Sequence, residues 1–273
     1  MSKVVQASSL QPFHRASWKL ALPYAAALFV FGGSAVCGAI VEDTIDRVYD
    51  LNGATAVSIR NTDGRIHVYG SDTAQLRIKA VRRAFTKERL EAIKVEVAIK
   101  GDTAAIETIY PPAPPPGSIL ADRSGTVDYT ILVPDTCALS KVELANGEVV
   151  IEGMRGTAID ARLGNGLIYL SNCFSATRAS LGQGGLEVLY GWWEALAFTL
   201  SAEVGKGDLR LALPVEASLH LDAATTEGHI RNNFATEETL GDARTLDTKI
   251  GGDGSTTFRL RTTRGNIRIG KTY

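Results

Sequence analysis

"RTTRGNIRIG", residues 261–270, places Gly265 ahead of two apolar residues, Ile267 and Ile269, with polar Asn266 and Arg268 beside them. Such alternation describes a strand with one buried face. A glycine in front of it supplies a turn at positive φ, which side chains with a Cβ resist. The same Gly-x-Φ-x-Φ pattern, with Φ apolar, begins at Gly64, Gly147, Gly166, Gly184 and Gly207. A seventh copy begins at Gly228 and fails only at its last place, Asn232. The glycines from 147 to 228 are 19, 18, 23 and 21 residues apart. The 37 residues from Gly228 to Gly265 leave room for one further, degenerate coil.

A strand pattern recurring about every 20 residues, with no helix between copies, is the signature of a solenoid. One coil cannot bury its own apolar face, but stacked coils bury a continuous one. A β-sandwich is the competing all-β reading, because its turns also recur. The fixed phase between glycine and apolar pair favours a single-stranded β-solenoid, or parallel β-helix-like, body.

The organisation read from the chain has four parts. Residues 1–43 are a signal peptide or membrane anchor. Residues 44–110 form an N-terminal β region interrupted by "TKERLEAI" (86–93), a short helix or turn. Residues 111–118 are a proline-rich loop that cannot join a sheet ladder. Residues 119–273 carry most of the repeats.

Charge is nearly balanced in the 273 residues, with Lys+Arg 29, Asp+Glu 30 and a net of -1. That balance gives no global attraction to nucleic acid. The segment 20–41 carries no charge, follows His14, Arg15 and Lys19, and ends at Glu42 and Asp43. It is long enough to span a bilayer. Its flanks predict that the bulk of the chain faces away from the cytoplasm, in the periplasm or at the cell surface. A signal cleaved after Ala39 and a retained anchor in the inner membrane are both compatible with this pattern, and Cys37 adds a weaker lipoprotein reading. Cys137 and Cys173 are nearly two coils apart. About 9–10 Å of backbone separation exceeds disulfide reach, so two thiols are expected.

With "NTDGRIHVYG", "VDYTILVP" leading into "VELANGEVVIEG", "LDAATTEGHI" and the closing "FRLRTTRGNIRIG", residues 44–271 resemble the bacterial putative-adhesin domain family. The resemblance implies an exported or membrane-anchored β-solenoid of unknown function. It implies no catalytic residues.

The residues themselves show no catalytic or metal-binding constellation. His67, His220 and His229 alternate with apolar residues as strand-face positions do, and no G-x-S-x-G elbow or metal-ligand spacing occurs. "GGDGSTT" (251–257) lacks the register of a calcium repeat and reads as a turn. No cofactor is expected. A glycan-active hydrolase or lyase needs paired carboxylates, and Glu148, Glu187 and Asp208 do not share one column.

Two surfaces are binding candidates. The fourth place of each pentad points outward and reads His67, Val150, Tyr169, Glu187, Arg210, Arg231, Arg268. Stacked arginines repel unless an anion or solvent compensates, so Arg210, Arg231 and Arg268 are candidates for a strip that holds an anionic surface polymer. The alternative is a solvated face with Glu203 or Glu227 as acidic neighbours. Trp192 and Trp193 are adjacent and cannot both point inward from a strand, which makes them a candidate aromatic patch. A widened coil burying both is the alternative.

The leading reading is a non-enzymatic cell-envelope scaffold or adhesin-like surface. A glycan-active enzyme and an anchored envelope sensor or accessory are the other readings. The partners expected are an anionic polymer or envelope protein, and the membrane through residues 20–41 if that segment is uncleaved. Self-association is a further expectation, controlled by the edge of the last coil, which Lys271 would blunt.

Overall fold

The computed structural model describes residues 40–51, 56–112, 122–234, 243–252 and 255–272. Of the expected signal or anchor segment, residues 1–39 lie outside the described residues, as do residues 113–118 of the proline-rich run.

The described residues form sixteen strands and one short helix in chain order. They begin with β1 (Val41–Asp50), β2 (Ala56–Ser71), β3 (Gln75–Ala84), α1 (Lys87–Ala92), β4 (Lys94–Lys100) and β5 (Thr103–Ile109). The middle of the chain gives β6 (Thr126–Pro134), β7 (Ala138–Glu152), β8 (Ala158–Ser171), β9 (Ala176–Leu189), β10 (Thr199–Lys206) and β11 (Leu209–Leu213). The last are β12 (Leu219–Glu227), β13 (Ile230–Asn232), β14 (Thr245–Ile250), β15 (Thr257–Arg264) and β16 (Ile267–Lys271).

The repeated glycine is a corner. β2, β7, β8 and β9 each run through one, at Gly64, Gly147, Gly166 and Gly184, with φ between 125° and 135°. In β2 the buried positions are Val57, Ile59 and Asn61 before the glycine, but Ile66 and Val68 after it. That switch from odd to even numbers cannot occur in a flat strand. It shows the strand folding over, so that its two halves face each other. The pairs β10–β11, β12–β13 and β15–β16 repeat the arrangement, broken at Gly207, Gly228 and Gly265.

Two layers result. The first half-strands run in the order β4–β5–β2–β7–β8–β9–β10–β15–β12–β14. The second half-strands run in the order β1–β3–β6–β2–β7–β8–β9–β11–β16–β13. Neighbouring coils pair in parallel, and the antiparallel pairs are β1–β3, β3–β6, β4–β5 and β12–β14. The body is thus an all-β, two-layered solenoid.

The core is a set of aliphatic columns. Val149, Ile168, Leu186, Leu209, Ile267 and Ile230 stack in successive coils and are at most 2% exposed. Each such side chain stabilises by about 2 kcal/mol relative to an exposed one. At the far side of the coil, "LYGWWEALAF" (189–198) loops out and supplies an aromatic cluster. Tyr190, Trp193, Phe198 and Phe258 lie within 5.5–6.2 Å of one another, centroid to centroid. Cys173 and Cys137 are buried and no disulfide joins them, as the coil register requires.

Two expectations from the sequence are corrected here. Among the described residues, the gap between Gly228 and Gly265 does not hold another coil. Its strand, β14, runs antiparallel to β12 and closes the first layer. The last coil is not at an edge either. β15 lies between β10 and β12, and β16 lies between β11 and β13. Lys271 therefore blunts no terminal edge, and its ammonium sits 5.4 Å from the Phe234 ring centroid. Among the described residues, the outermost strands are β1 and β4 at one end and β13 and β14 at the other.

Edge strand β1 is fastened to β3 and its neighbours by ion pairs: Asp46–Arg77 at 2.8 Å, Glu42–Arg83 at 2.6 Å, and Asp43–Arg82. Hydrogen bonds from Arg82 and Arg77 hold Asp43 and Asp46 below the usual aspartate range. A depressed carboxyl contributes stability above the unfolded value, near pH 4, and loses it as pH falls through the lower folded value. β1 is therefore expected to exchange its amide hydrogens before any coil strand as pH drops below about 4. Equal protection of β1 and β8 at acid pH would contradict this.

Candidate functional site

The outer face of the first layer carries a groove of about 950 Å³ that crosses the coils from β2 to β12. Its wall is built four residues ahead of each corner glycine. There Arg60, Glu143, Arg162, Ser180, Glu203 and Arg261 occupy successive strands in register. Its floor is built two residues ahead of the glycine, by Ala145, Gly164, Gly182 and Gly205. A Cβ at Gly164, Gly182 or Gly205 would lie 2.5, 2.5 or 2.6 Å from a carbonyl oxygen of the preceding strand. Glycine there keeps the strands close and leaves bare backbone as the floor.

The charged wall is unevenly engaged. Arg60 bridges Glu107 and Glu143, each at 3.3 Å. Arg162 turns along its own strand to Asp160, at 2.7 Å, and Arg261 turns away to Asp222. Lys141 and Arg60 hold the Glu143 carboxyl below its usual range, and Arg261 does the same for Asp222. Ser180 and Glu203 have no side-chain partner among the described residues. The middle of the groove, over Gly182 and Gly205, thus presents a hydroxyl and a carboxylate with hydrogen-bonding capacity still open. Sequence reading missed this groove. Its signal was the small residue two places ahead of each glycine, in "LANGEV", "RLGNGL" and "SLGQGG".

On the second layer the three sequence-selected arginines are brought together. Arg210 pairs in register with Arg268, and Arg268 with Arg231. The acidic neighbours expected from sequence are displaced: Glu203 is in the wall of the first-layer groove and Glu227 closes β12 at the corner. Glu187 and Asp208 take their place, 3.1 Å from Arg210 and 3.6 Å from Arg268.

The tryptophans divide. Trp193 packs into the aromatic cluster. Trp192 is 45% exposed, lies 5.9 Å from the Phe174 ring centroid, and donates its indole N–H to Glu194 at 3.0 Å. The two-residue aromatic patch expected from sequence therefore reduces to one half-exposed ring.

The family model described as Toastrack DUF4097 matches residues 54–270. The chain belongs to this family. It is the adhesin-like family that the glycine-led repeats resemble. No curated protein matches the Toastrack chain. Among solved structures, a putative cell adhesion protein from Clostridium sporogenes ATCC 15579 is 14% identical, with 85% of this chain and 100% of that chain covered and a TM-score of 0.49. A putative adhesin from Bacteroides fragilis NCTC 9343 is 13% identical, with 83% and 97% covered and a TM-score of 0.31. A putative lipid binding protein from Parabacteroides distasonis ATCC 8503 is 11% identical, with 85% and 97% covered and a TM-score of 0.34.

The chemistry open to this Toastrack chain follows from its geometry. Glu143 and Glu203 are three strands apart, about 14 Å at 4.8 Å per strand. Glycosidase carboxyl pairs stand about 5–9.5 Å apart. Glu148 and Asp208 are likewise three strands apart on the second layer. His220 bonds Asp247 at 2.5 Å, but no hydroxyl joins that pair among the described residues. Burial pushes the Cys173 thiol up to about 12, which keeps it protonated and unreactive at neutral pH. Among the described residues no three His, Cys, Asp or Glu side chains gather as metal ligands. No helix of the described residues is long and apolar enough to cross a membrane.

Proposed function

We propose that this protein is an exported, non-catalytic binding scaffold of the cell envelope, and that its adhesin-like surface is the first-layer groove. The observation that carries this is the unengaged Ser180 and Glu203 above a floor of bare backbone, midway along a groove crossing seven coils. Seven strands at about 4.8 Å span about 29 Å, which suits an extended chain lying across the strands. The lining arginines Arg60, Arg162 and Arg261 are nearly balanced by Glu143 and Glu203. Alternating donors and acceptors with little net charge complement a neutral, hydroxyl-rich polymer, since each hydroxyl both donates and accepts. The charge-free segment 20–41 and its flanks support export.

Ser180 is the position to test. It faces outward and carries no contact the fold needs, so Ser180→Trp fills the groove without touching the core. Affinity electrophoresis through gels containing neutral polysaccharides (dextran, xylan, soluble cellulose or chitin oligomers) should retard the wild-type protein. The variant should bind more than about tenfold more weakly at unchanged melting temperature. A wild-type protein retarded by none of them, or a variant retarded equally, would reject the groove as the binding surface.

A further inference from the structure

We infer that the arginine row on the second layer is a separate site, and that it holds a linear acidic polysaccharide through the carboxylate or sulfate groups along its chain. The structure places Arg210, Arg268 and Arg231 on β11, β16 and β13, three strands adjacent in space although not in sequence. Only the insertion of the last coil makes the row continuous. Like charges directly opposite one another in a sheet repel. Here the repulsion is relieved at Arg210 and in part at Arg268. Glu187 binds Arg210 at 3.1 Å, and Asp208 stands 3.6 Å from Arg268, beyond a hydrogen bond. Arg231 has no side-chain partner among the described residues. Arg268 and Arg231 therefore present two guanidiniums about 4.8 Å apart, each planar and able to grip an oxyanion through two N–H groups.

The shape of the charge selects the ligand. The row is one residue wide and three strands long. Along one flank it is bordered by Asp208, Asn266 and His229, along the other by Ala212 and Gly270, and it ends at Glu187. A single acidic chain lies along the row and avoids both carboxylates. A flat anionic bilayer meets Glu187 and Asp208 as well as the arginines.

The experiment compares the wild-type protein with Arg231→Ser/Arg268→Ser and with Arg231→Lys/Arg268→Lys on immobilised heparin. Removing two exposed guanidiniums should lower affinity at least about tenfold, with the wild-type protein eluting only at raised salt. The lysine pair should fall between the wild type and the serine pair, because it keeps the charge and loses the two-pronged grip. The melting temperature of the serine pair should be no lower than that of the wild type, since repulsion is removed. Equal retention of wild type and serine pair overturns the proposal. So does a wild-type protein that ignores heparin but sediments with phosphatidylglycerol vesicles. Ser180→Trp, by contrast, should leave heparin retention unchanged, so failure of the groove and failure of the row are read separately.

Discussion

Replacing Gly184 with alanine is expected to destabilise the protein by about 3–5 kcal/mol, as much as deleting a large core side chain. Gly184 turns its coil at φ 135°, a conformation that residues with a Cβ rarely adopt. The added Cβ would also lie 1.8 Å from the carbonyl oxygen of Gly166 in the coil before. Relief by moving the backbone is closed off on the other side, because Gly207 is stacked just as closely on Gly184: a Cβ built there would lie 1.7 Å from the Gly184 carbonyl oxygen. Gly101 is the control. It too has positive φ, at 54°, but a Cβ there meets nothing within 4 Å. Gly101→Ala should cost only about 1 kcal/mol. Urea midpoints for the two variants measure the difference. Similar midpoints would mean that the corner column tolerates movement and that the stacking argument is wrong.

The second large effect concerns the last coil. Deleting everything from Thr257 onward should not give a slightly shorter solenoid. It should give a protein whose β12, β13 and β14 are unfolded and whose soluble yield collapses. β15 is the parallel partner of both β10 and β12, and β16 of both β11 and β13. The deletion also removes Phe258, Leu260, Ile267 and Ile269 from the core, all at most 1% exposed. At about 2 kcal/mol each, these four amount to about 8 kcal/mol, comparable with the whole stability of a typical domain, even before the lost pairing is counted. Limited proteolysis should cut readily between residues 214 and 256 of the deleted protein. If that stretch stays protected, the last coil is a cap and not an insert.

How far the sequence announced this arrangement follows from range. The Gly-x-Φ-x-Φ unit is local: five residues suffice to write a corner and the strand after it. The corners at Gly64, Gly147, Gly166 and Gly184 could therefore be read directly. The stacking of arginines was legible for the same reason, since the phase within a coil fixes which side chains share a column. The order of the columns was not. Nothing in "FRLRTTRGNIRIG" distinguishes a coil added at the end from one placed between two earlier coils, because its inward residues suit either neighbour. The antiparallel β14 was hidden similarly, its six residues carrying no glycine phase. The groove was overlooked because its floor is defined by absence of side chains at Gly164, Gly182 and Gly205, and periodicity searches weigh apolar positions. The tryptophans were half legible. Adjacency required that they separate, but only the loop 189–198 decides that Trp193 goes inward.

The placement of β15 and β16 also sets an order of assembly. Residues 257–271 are synthesised after residues 199–232, yet they lie between the coils those residues form. The coils of β2, β7, β8 and β9 can close one upon another as the chain emerges. The coils of β10–β11 and β12–β13 share no direct pairing, so β12 and β13 can dock only once the later segment has arrived between them. Growth of this solenoid is therefore sequential for its first half and interleaved for its second. A chain interrupted before residue 257 keeps exposed strand edges for chaperones and proteases to recognise, so completeness is checked by the fold itself.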